Sequence, residues 1–340
     1  MSGFSVEPFS LDLAEPLASA TGTITSRRGF IVRFGDGIGE ATPLTPWTES
    51  YDACERALTH IVETEAPPGA ALGTLTETPA ARHGVALAVL DAHARRRNQP
   101  LMRYLGGDAT VATIPVNATL DAADAAALAT AASDAAAAGY PAVKVKIGRA
   151  ELATDLERVA AVRAAIGANV ELRLDANAAW DAQTAIEAAP VLAEHDISYL
   201  EQPTPGIDRD LIDRLEAEGV PVAIDEGLDR SSIADAISAG VSAIILKPMA
   251  LGGPDIARAA AMTALACGVT PVVSDLVTGA VSRTAAAHVA ASLSAPVPAG
   301  LDTGRRLAGD LIDRPPTVES GAFVIPDGNG LGIDTEAVGR

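Results

Sequence analysis

The chain carries 25 basic residues, yet only three are lysine: Lys144 and Lys146 in "PAVKVKIG", and Lys247 in "IILKPMALGG". Everywhere else positive charge is supplied by arginine, whose guanidinium stays protonated, whereas a lysine amine can give up its proton. Positions that keep lysine are therefore candidates for proton transfer. Alternation along "VKVKI" puts Val143, Val145 and Ile147 on one strand face and Lys144 and Lys146 on the other. If the apolar face meets helices, both amines turn inward, where like charge and lost hydration each lower a lysine pKa. An incidental pair on an exposed edge strand would fit the alternation but not the lack of lysine elsewhere.

Later apolar segments end on charge in the same way. "LRLDAN" ends on Asp175, "YLEQP" on Glu201, "AIDEG" on Asp225 and "IILKP" on Lys247, in steps of 29, 26, 24 and 22 residues from Lys146. Each step is about one strand-helix unit, so the five side chains are expected around one mouth of a barrel, where active sites of that architecture lie. Three converging carboxylates repel one another unless a cation sits between them. Oxygen-only donors select a hard ion, Mg²⁺ or Mn²⁺. A divalent ion facing lysines equips a site to remove a proton α to a carboxylate, with one lysine as base and the metal absorbing the developing charge.

The elements that must position these residues repeat from about residue 110. Strand candidates are "TIPVNAT", "AVKVKI", "VELRLDA", "ISYLEQ", "PVAIDE", "AIILKP", "TPVVSD" and "VPAGLD". Between them lie alanine-rich helical stretches, such as "TDLERVAAVRAAIG" with Leu156, Val159, Val162 and Ile166 at helical spacing. Asp121, Thr154, Asp181 and Ser231 are candidate N-caps, and Gly139, Gly167, Gly219 and Gly240 candidate stops. Eight strands alternating with helices predict an α/β fold, a (β/α)-barrel over 109–312. No glycine-rich dinucleotide fingerprint follows any strand. Residues 1–108 predict an α+β domain with helices over about 48–65 and 78–98, and the strand- and turn-rich segment 313–340 is expected to return to it.

Composition narrows the function classes. The formal charge of −19 argues against nucleic acid, whose phosphates would be repelled. No apolar run approaches the roughly 20 residues that span a bilayer, and "MSGFSVEPFSLDLAEP" lacks the basic and apolar regions of a secretory signal. Cys54 and Cys267 are too few and too far apart for a disulfide framework or a thiolate metal site. A cytoplasmic enzyme with a small-molecule carboxylate substrate is expected. The acidic surface, with arginine replacing lysine, further suggests a high-salt cytoplasm.

Taken together, "KVKIG", "LRLDANAAW", "YLEQP", "AIDEG" and "ILKPMALGG" resemble the enolase superfamily in its muconate-lactonizing group, over essentially the whole chain. "GIGEATPLTPWTES" is similar to the capping-domain segment of that group, and "GLDTG" to a late motif of o-succinylbenzoate synthases. The resemblance implies that Asp175, Glu201 and Asp225 hold Mg²⁺ and that Lys146 is the acid/base. It makes Lys144 the neighbour lowering the pKa of Lys146, and Lys247 a cation opposite. It also implies supporting roles for Asn177 and Glu226, and substrate contacts from Thr278, Gly279, Arg27, Arg28 and Trp47. The implied reaction is dehydration of 2-succinyl-6-hydroxy-2,4-cyclohexadiene-1-carboxylate, a step of menaquinone synthesis. The same lysines and metal would also serve racemisation of N-succinylamino acids, epimerisation of dipeptides or cycloisomerisation of muconates. Branches using a histidine base are disfavoured, because His60, His83, His93, His195 and His288 all fall in or beside predicted helices. "VVSDLVTGAVSR" departs from the family pattern, with Val277 where a Glu is common.

Overall fold

The computed structural model describes residues 3–19, 22–122, 124–228 and 232–339. The chain begins with β1 (Phe4–Ser19), β2 (Gly22–Phe34) and β3 (Gly37–Ala41), an antiparallel sheet in that order. Against it pack α1 (Tyr51–Glu63), α2 (Pro68–Thr74) and α3 (Pro79–Arg96), followed by the single turn α4 (Leu101–Tyr104). Contact between β3 and α3 is close because β3 carries glycine. A Cβ at Gly37 would lie 2.2 Å from the Ala88 carbonyl oxygen, and one at Gly39 2.0 Å from that of Gly84.

The alternating part follows as β4 (Thr113–Pro115), β5 (Asn117–Leu120), α5 (Ala125–Ala137), β6 (Ala142–Lys146), α6 (Leu152–Ile166), β7 (Glu171–Asp175), α7 (Ala182–Ala193), β8 (Ile197–Glu201) and α8 (Arg209–Ala217). It continues with β9 (Val222–Ile224), α9 (Ser232–Ser238), β10 (Ala243–Leu246), α10 (Pro248–Leu251), α11 (Pro254–Ala266), β11 (Thr270–Val273) and α12 (Ala280–Ala291). Strands β5 to β11 form one parallel sheet in sequence order. The eighth segment is too short for a strand, but it seals the wall. Ala299 bridges to Val116 and Gly300 to Ser274, with Asn117 N–H donating to Ala299 O and Gly300 N–H to Val273 O. The expected barrel is what forms.

Period-two alternation explains which face each strand buries. Val143, Val145 and Ile147 are buried in one core with Val159, Val162 and Ile166 of α6, while Lys144 and Lys146 turn inward. The inner wall is mostly small or β-branched, with Tyr199, Ala223, Ala243, Ile245 and Val272. Arg173 fills its lower end, under the Tyr199 ring at 5.2 Å and bonded to Pro298 O. Asp181 caps α7 as expected. Helix α5 is capped by Asp124 and α6 begins after Glu151, so Asp121 and Thr154 are not caps; Ser231 lies outside the described residues. The C-terminal segment adds β12 (Val318–Glu319) and β13 (Ala322–Val324), and β13 pairs with β4 rather than with the first sheet. Beyond it, Leu331, Ile333 and Val338 bury against Leu11, Ile31, Ile38 and Leu87.

The first sheet is joined to the barrel by a buried carboxylate. Glu40 on β3 accepts from Thr42 Oγ1 (2.5 Å), Gly279 N–H (2.7 Å) and Ser282 N–H (2.8 Å), the last two at the start of α12. Burial pushes its pKa from 4.5 up to about 7, against the pull of these donors. Between those pH values the unfolded chain releases the proton and the folded chain keeps it. The stability from Glu40 is therefore complete below pH 4.5 and lost as pH rises through 7. Against Glu40→Gln, the wild type should lose on the order of 3 kcal/mol across that window. Urea denaturation of both proteins at several pH values checks this, and a gap that does not change with pH contradicts it.

Candidate active site

Lys144 and Lys146 lie on β6, Asp175 ends β7, Glu201 ends β8, and Asp225 and Lys247 directly follow β9 and β10. Parallel register aligns these ends, with Lys146 opposite Asp175 and Asp175 opposite Glu201. All three carboxylates are buried, and so is Lys247. Each carboxylate is met by an ammonium. Lys144 Nζ lies 2.9 and 3.1 Å from the two Glu201 oxygens and 2.9 Å from Asp175 Oδ2. Lys146 Nζ donates to the same Asp175 oxygen and to Asn177 Oδ1, both at 2.6 Å. Lys247 bonds both oxygens of Asp225, and the ring of Trp47 stands 3.5 Å from its Nζ.

These pairings correct one expectation. Side by side, the two β6 lysines were to lower each other's pKa, but Lys144 goes the other way. Burial opposes its charge, yet Asp175 and Glu201 outweigh burial and hold it well above the usual lysine value. Burial likewise raises Asp175, but Lys144 and Lys146 bring it below the usual carboxylate range. Burial and Asp175 push Glu201 upward, with Asp225 adding to the rise, against the pull of Lys144.

Asn177 and Glu226 join the group: Asn177 Nδ2 donates to Glu226 Oε1 at 3.0 Å while its Oδ1 accepts from Lys146. The remaining candidates fall elsewhere. Arg27 is buried and donates to the carbonyls of Val277, Pro43 and Thr42, so its guanidinium is committed to backbone. Thr278 is buried with its hydroxyl on Asp275, and the Gly279 amide goes to Glu40. Arg28 lies over the Tyr51 ring at 3.9 Å. Arg27, Thr278 and Gly279 thus build the joint between sheet and barrel instead of a substrate surface. His83 and His288 are buried and bonded to backbone, with burial lowering each to about 4.

Two site residues escaped the sequence reading. Gln202 directly follows Glu201, with φ of 42°. Its Oε1 accepts from the N–H groups of Asp225 and Glu226, both at 3.0 Å, and its Nε2 donates to Thr204 O and Gly206 O. It thereby fixes the loop holding Asp225. Asp275 lies two residues beyond β11 and accepts from Thr278 N–H and Oγ1 and from Thr303 Oγ1. The strand-end rule applied one unit further would have found it.

The donor chemistry suits a hard dication: three buried, all-oxygen side chains on adjacent strand ends, with Glu201 raised by burial and then by Asp175. Among the described residues no three His, Cys, Asp or Glu side chains are gathered around one point; each of these carboxylates is bonded to a lysine. Asp175, Glu201 and Asp225 are the residues that would hold the ion.

Residues 127–337, more than half of the chain, match the model of the enolase C-terminal domain-like family. The chain belongs to the enolase superfamily, and its relatives include the muconate-lactonizing group. It is 38% identical to o-succinylbenzoate synthase of Thermobifida fusca over 211 residues, 60% of this chain and 63% of that protein. It is 29% identical to muconate cycloisomerase 1 of Pseudomonas putida over 88% of this chain and 84% of that one. The structure of the L-Ala-D/L-Glu epimerase from Bacillus subtilis superimposes with a TM-score of 0.86 at 26% identity, covering 97% of this chain and 98% of that chain. Among the described residues no helix is long and apolar enough to cross a membrane.

Gln202→Leu keeps the volume but leaves the amides of Asp225 and Glu226 without their acceptor. It should destabilise the protein by about 3 kcal/mol, two unmet buried donors at 1–3 kcal/mol each less relaxation. Chemical denaturation measures this, and a loss within experimental error would deny Gln202 its role.

Proposed function

We propose that the protein is an o-succinylbenzoate synthase, catalysing the syn dehydration of 2-succinyl-6-hydroxy-2,4-cyclohexadiene-1-carboxylate in menaquinone synthesis. The observation that carries this reading is the unequal setting of two opposed lysines. Strands β6 and β10 stand four apart in a ring of eight, so Lys146 and Lys247 approach the mouth from opposite sides. Lys247 is pinned between both oxygens of Asp225 and the face of Trp47, a setting that favours a fixed cation. Lys146 is more exposed and bonds single oxygens of Asp175 and Asn177. One movable amine and one fixed cation suit a reaction that needs a base on a single face.

In that reaction Lys146 Nζ takes the proton from the carbon bearing the ring carboxylate, and the C–H electrons pass into that carboxylate as an enediolate. The ammonium so formed returns the proton to the hydroxyl on the same face. The C–O bond breaks, water leaves and the ring becomes aromatic. Lys247 holds positive charge across from Lys146 throughout. Mg²⁺, or Mn²⁺, when bound by Asp175, Glu201 and Asp225, supplies the charge that makes the α-proton acidic enough to remove.

Lys146→Arg keeps the charge but not the titratable amine. Turnover should fall by about 10²–10⁴-fold, and omission of Mg²⁺ should likewise abolish it. Dehydratase assays with both proteins test this; wild-type turnover in the variant would sink the mechanism. The superposition on the epimerase supports a second reading, 1,1-proton transfer on N-succinylamino acids or dipeptides, with both lysines as bases. Solvent deuterium entering the α-carbon of N-succinylamino acids, without dehydration of the cyclohexadiene, would favour it.

The charge of −19 also supports a cytoplasmic setting rich in salt, with carboxylates that repel at low ionic strength. Raising KCl from about 0.1 to about 2 M should raise the melting temperature as screening relieves this repulsion. A flat or falling midpoint counts against the high-salt reading.

A further inference from the structure

Beyond the residues that meet a substrate, a buried ion pair on α6 acts on the backbone of Lys146. Asp155 and Arg158, both on the inner face of the helix, are 1% and 4% exposed. Asp155 Oδ1 accepts from Arg158 Nη1 at 2.6 Å, and its Oδ2 accepts from Gly148 N–H at 2.6 Å. Arg158 Nη2 donates to Lys146 O at 3.1 Å and to Ala122 O at 2.8 Å.

The reason for this clamp lies in where the strands end. Ile147 N–H donates to Asp175 O on β7, so by alternation the carbonyl of Lys146 points towards β5. Pairing between β5 and β6 stops at Leu120 and Val145, one residue short of Lys146. The carbonyl of Lys146 thus faces a gap where the next strand amide would stand, and the Arg158 guanidinium fills it. By bonding Ala122 O as well, Arg158 stitches together the two strand ends that have just parted. Two residues on, the chain turns at Gly148 with φ of 84°, where a Cβ would lie 2.8 Å from Ala179 Cβ. That brings it against the loop carrying Asn177, a partner of Lys146 Nζ. Arg158 Nε finds no partner among the described residues, so the guanidinium sits where its three other bonds are made and leaves the Nε–H unmet. Burying two charges is costly unless their remaining hydrogen bonds are also satisfied, and here those bonds go to the backbone that presents Lys146.

We infer that Asp155 and Arg158 are positioning residues that hold the β6 end so that Lys146 Nζ stays in line with Asp175 and Asn177. This rests on the assignment of Lys146 as the base. A displacement of about 1 Å at a reacting group can cost about 10²-fold in rate, so the clamp should appear in kcat more than in KM.

The test compares Arg158→Met and Arg158→Lys with Val162→Ala, a buried α6 substitution that loosens packing without touching Lys146. Dehydratase kinetics and denaturation midpoints are measured on each. Protein labelled with ¹³Cε-lysine gives three side-chain signals, one for each lysine in the chain. Arg158→Met should lower kcat by about 10²-fold with KM little changed, and should shift the Lys146 signal while that of Lys247 stays. Arg158→Lys retains charge facing Asp155 but cannot reach both carbonyls, so stability should recover further than kcat. An unmoved Lys146 signal in both Arg158 variants, or an equal loss of kcat in Val162→Ala at matched stability, overturns the inference. If the wild type shows no dehydratase turnover, the proposed function fails, while the lysine signal still decides for or against the clamp.

Discussion

Three carboxylates and three ammonium groups meet in the barrel mouth, and the structure depends on their mutual neutralisation. Asp175, Glu201 and Asp225 are each almost wholly removed from water. A lone buried carboxylate would be strongly disfavoured, and three together would also repel one another. Lys144, Lys146 and Lys247 balance them charge for charge, though not symmetrically, since Asp175 serves two lysines and Lys144 serves two carboxylates. Such pairing needs side chains from five strand ends within bond length of each other. Only parallel strands in consistent register, closed into a ring, deliver that. The apolar outer faces and the small residues of the inner wall are the means by which the ring closes with the charged ends aligned.

The loops at the mouth need restraint, since each carries at most one of the charged groups and little apolar surface. The structure supplies it from buried polar side chains located elsewhere in the chain. Gln202, one residue after Glu201, fixes the amides at Asp225 and Glu226. Asp275 gathers Thr278 and Thr303. Arg27 and Glu40 reach from the first sheet to the loop after β11. Val277 sits there with φ of 55°, a conformation costly for a β-branched residue. It is held on one side by the bond from Arg27 to its carbonyl, and on the other by Thr278 and Gly279, bound to Asp275 and Glu40. The strain is local, while the bonds that offset it come from both parts of the molecule.

Much of this was legible in the sequence because it depends on periodicity. Alternation along "VKVKI" placed the lysines on the inner face, and spacing by strand-helix units placed Asp175, Glu201, Asp225 and Lys247 at successive strand ends. Even the two-residue closing segment was visible in "VPAGLD", since only closure gives so short an apolar stretch a place. The partners were not legible. Arg27 bonds Val277 across 250 positions, and nothing in the composition near Arg27 separates a residue aimed at a ligand from one committed to carbonyls. Thr278 and Gly279 were read as substrate contacts because their loop lies at the mouth. Their hydrogen bonds show that they face the joint instead. Gln202 was overlooked for a related reason: its neighbour Glu201 accounts for the motif, while its own task depends on amides more than twenty residues away.

The three lysines of the chain stand in two different physical settings within one site. At position 146 the amine is partly exposed and bonds single oxygens of Asp175 and Asn177, a setting that suits the proton transfer proposed for it. At position 144 that account fails, because Asp175 and Glu201 hold the group firmly as a cation. What matters there is shape. The ammonium is a compact charge with three donors, and its three close oxygens are Asp175 Oδ2 and the two oxygens of Glu201. An arginine would bring a planar fork with five donors into an interior already occupied by Tyr199 below and Lys146 above. Its extra N–H groups would have no acceptors, and its bulk would part the carboxylates that it was meant to neutralise. Position 247 follows the same logic, since a small ammonium fits between both oxygens of Asp225 and the Trp47 ring. On the proposed mechanism, compact size suits lysine to positions 144 and 247, and proton transfer suits it to position 146.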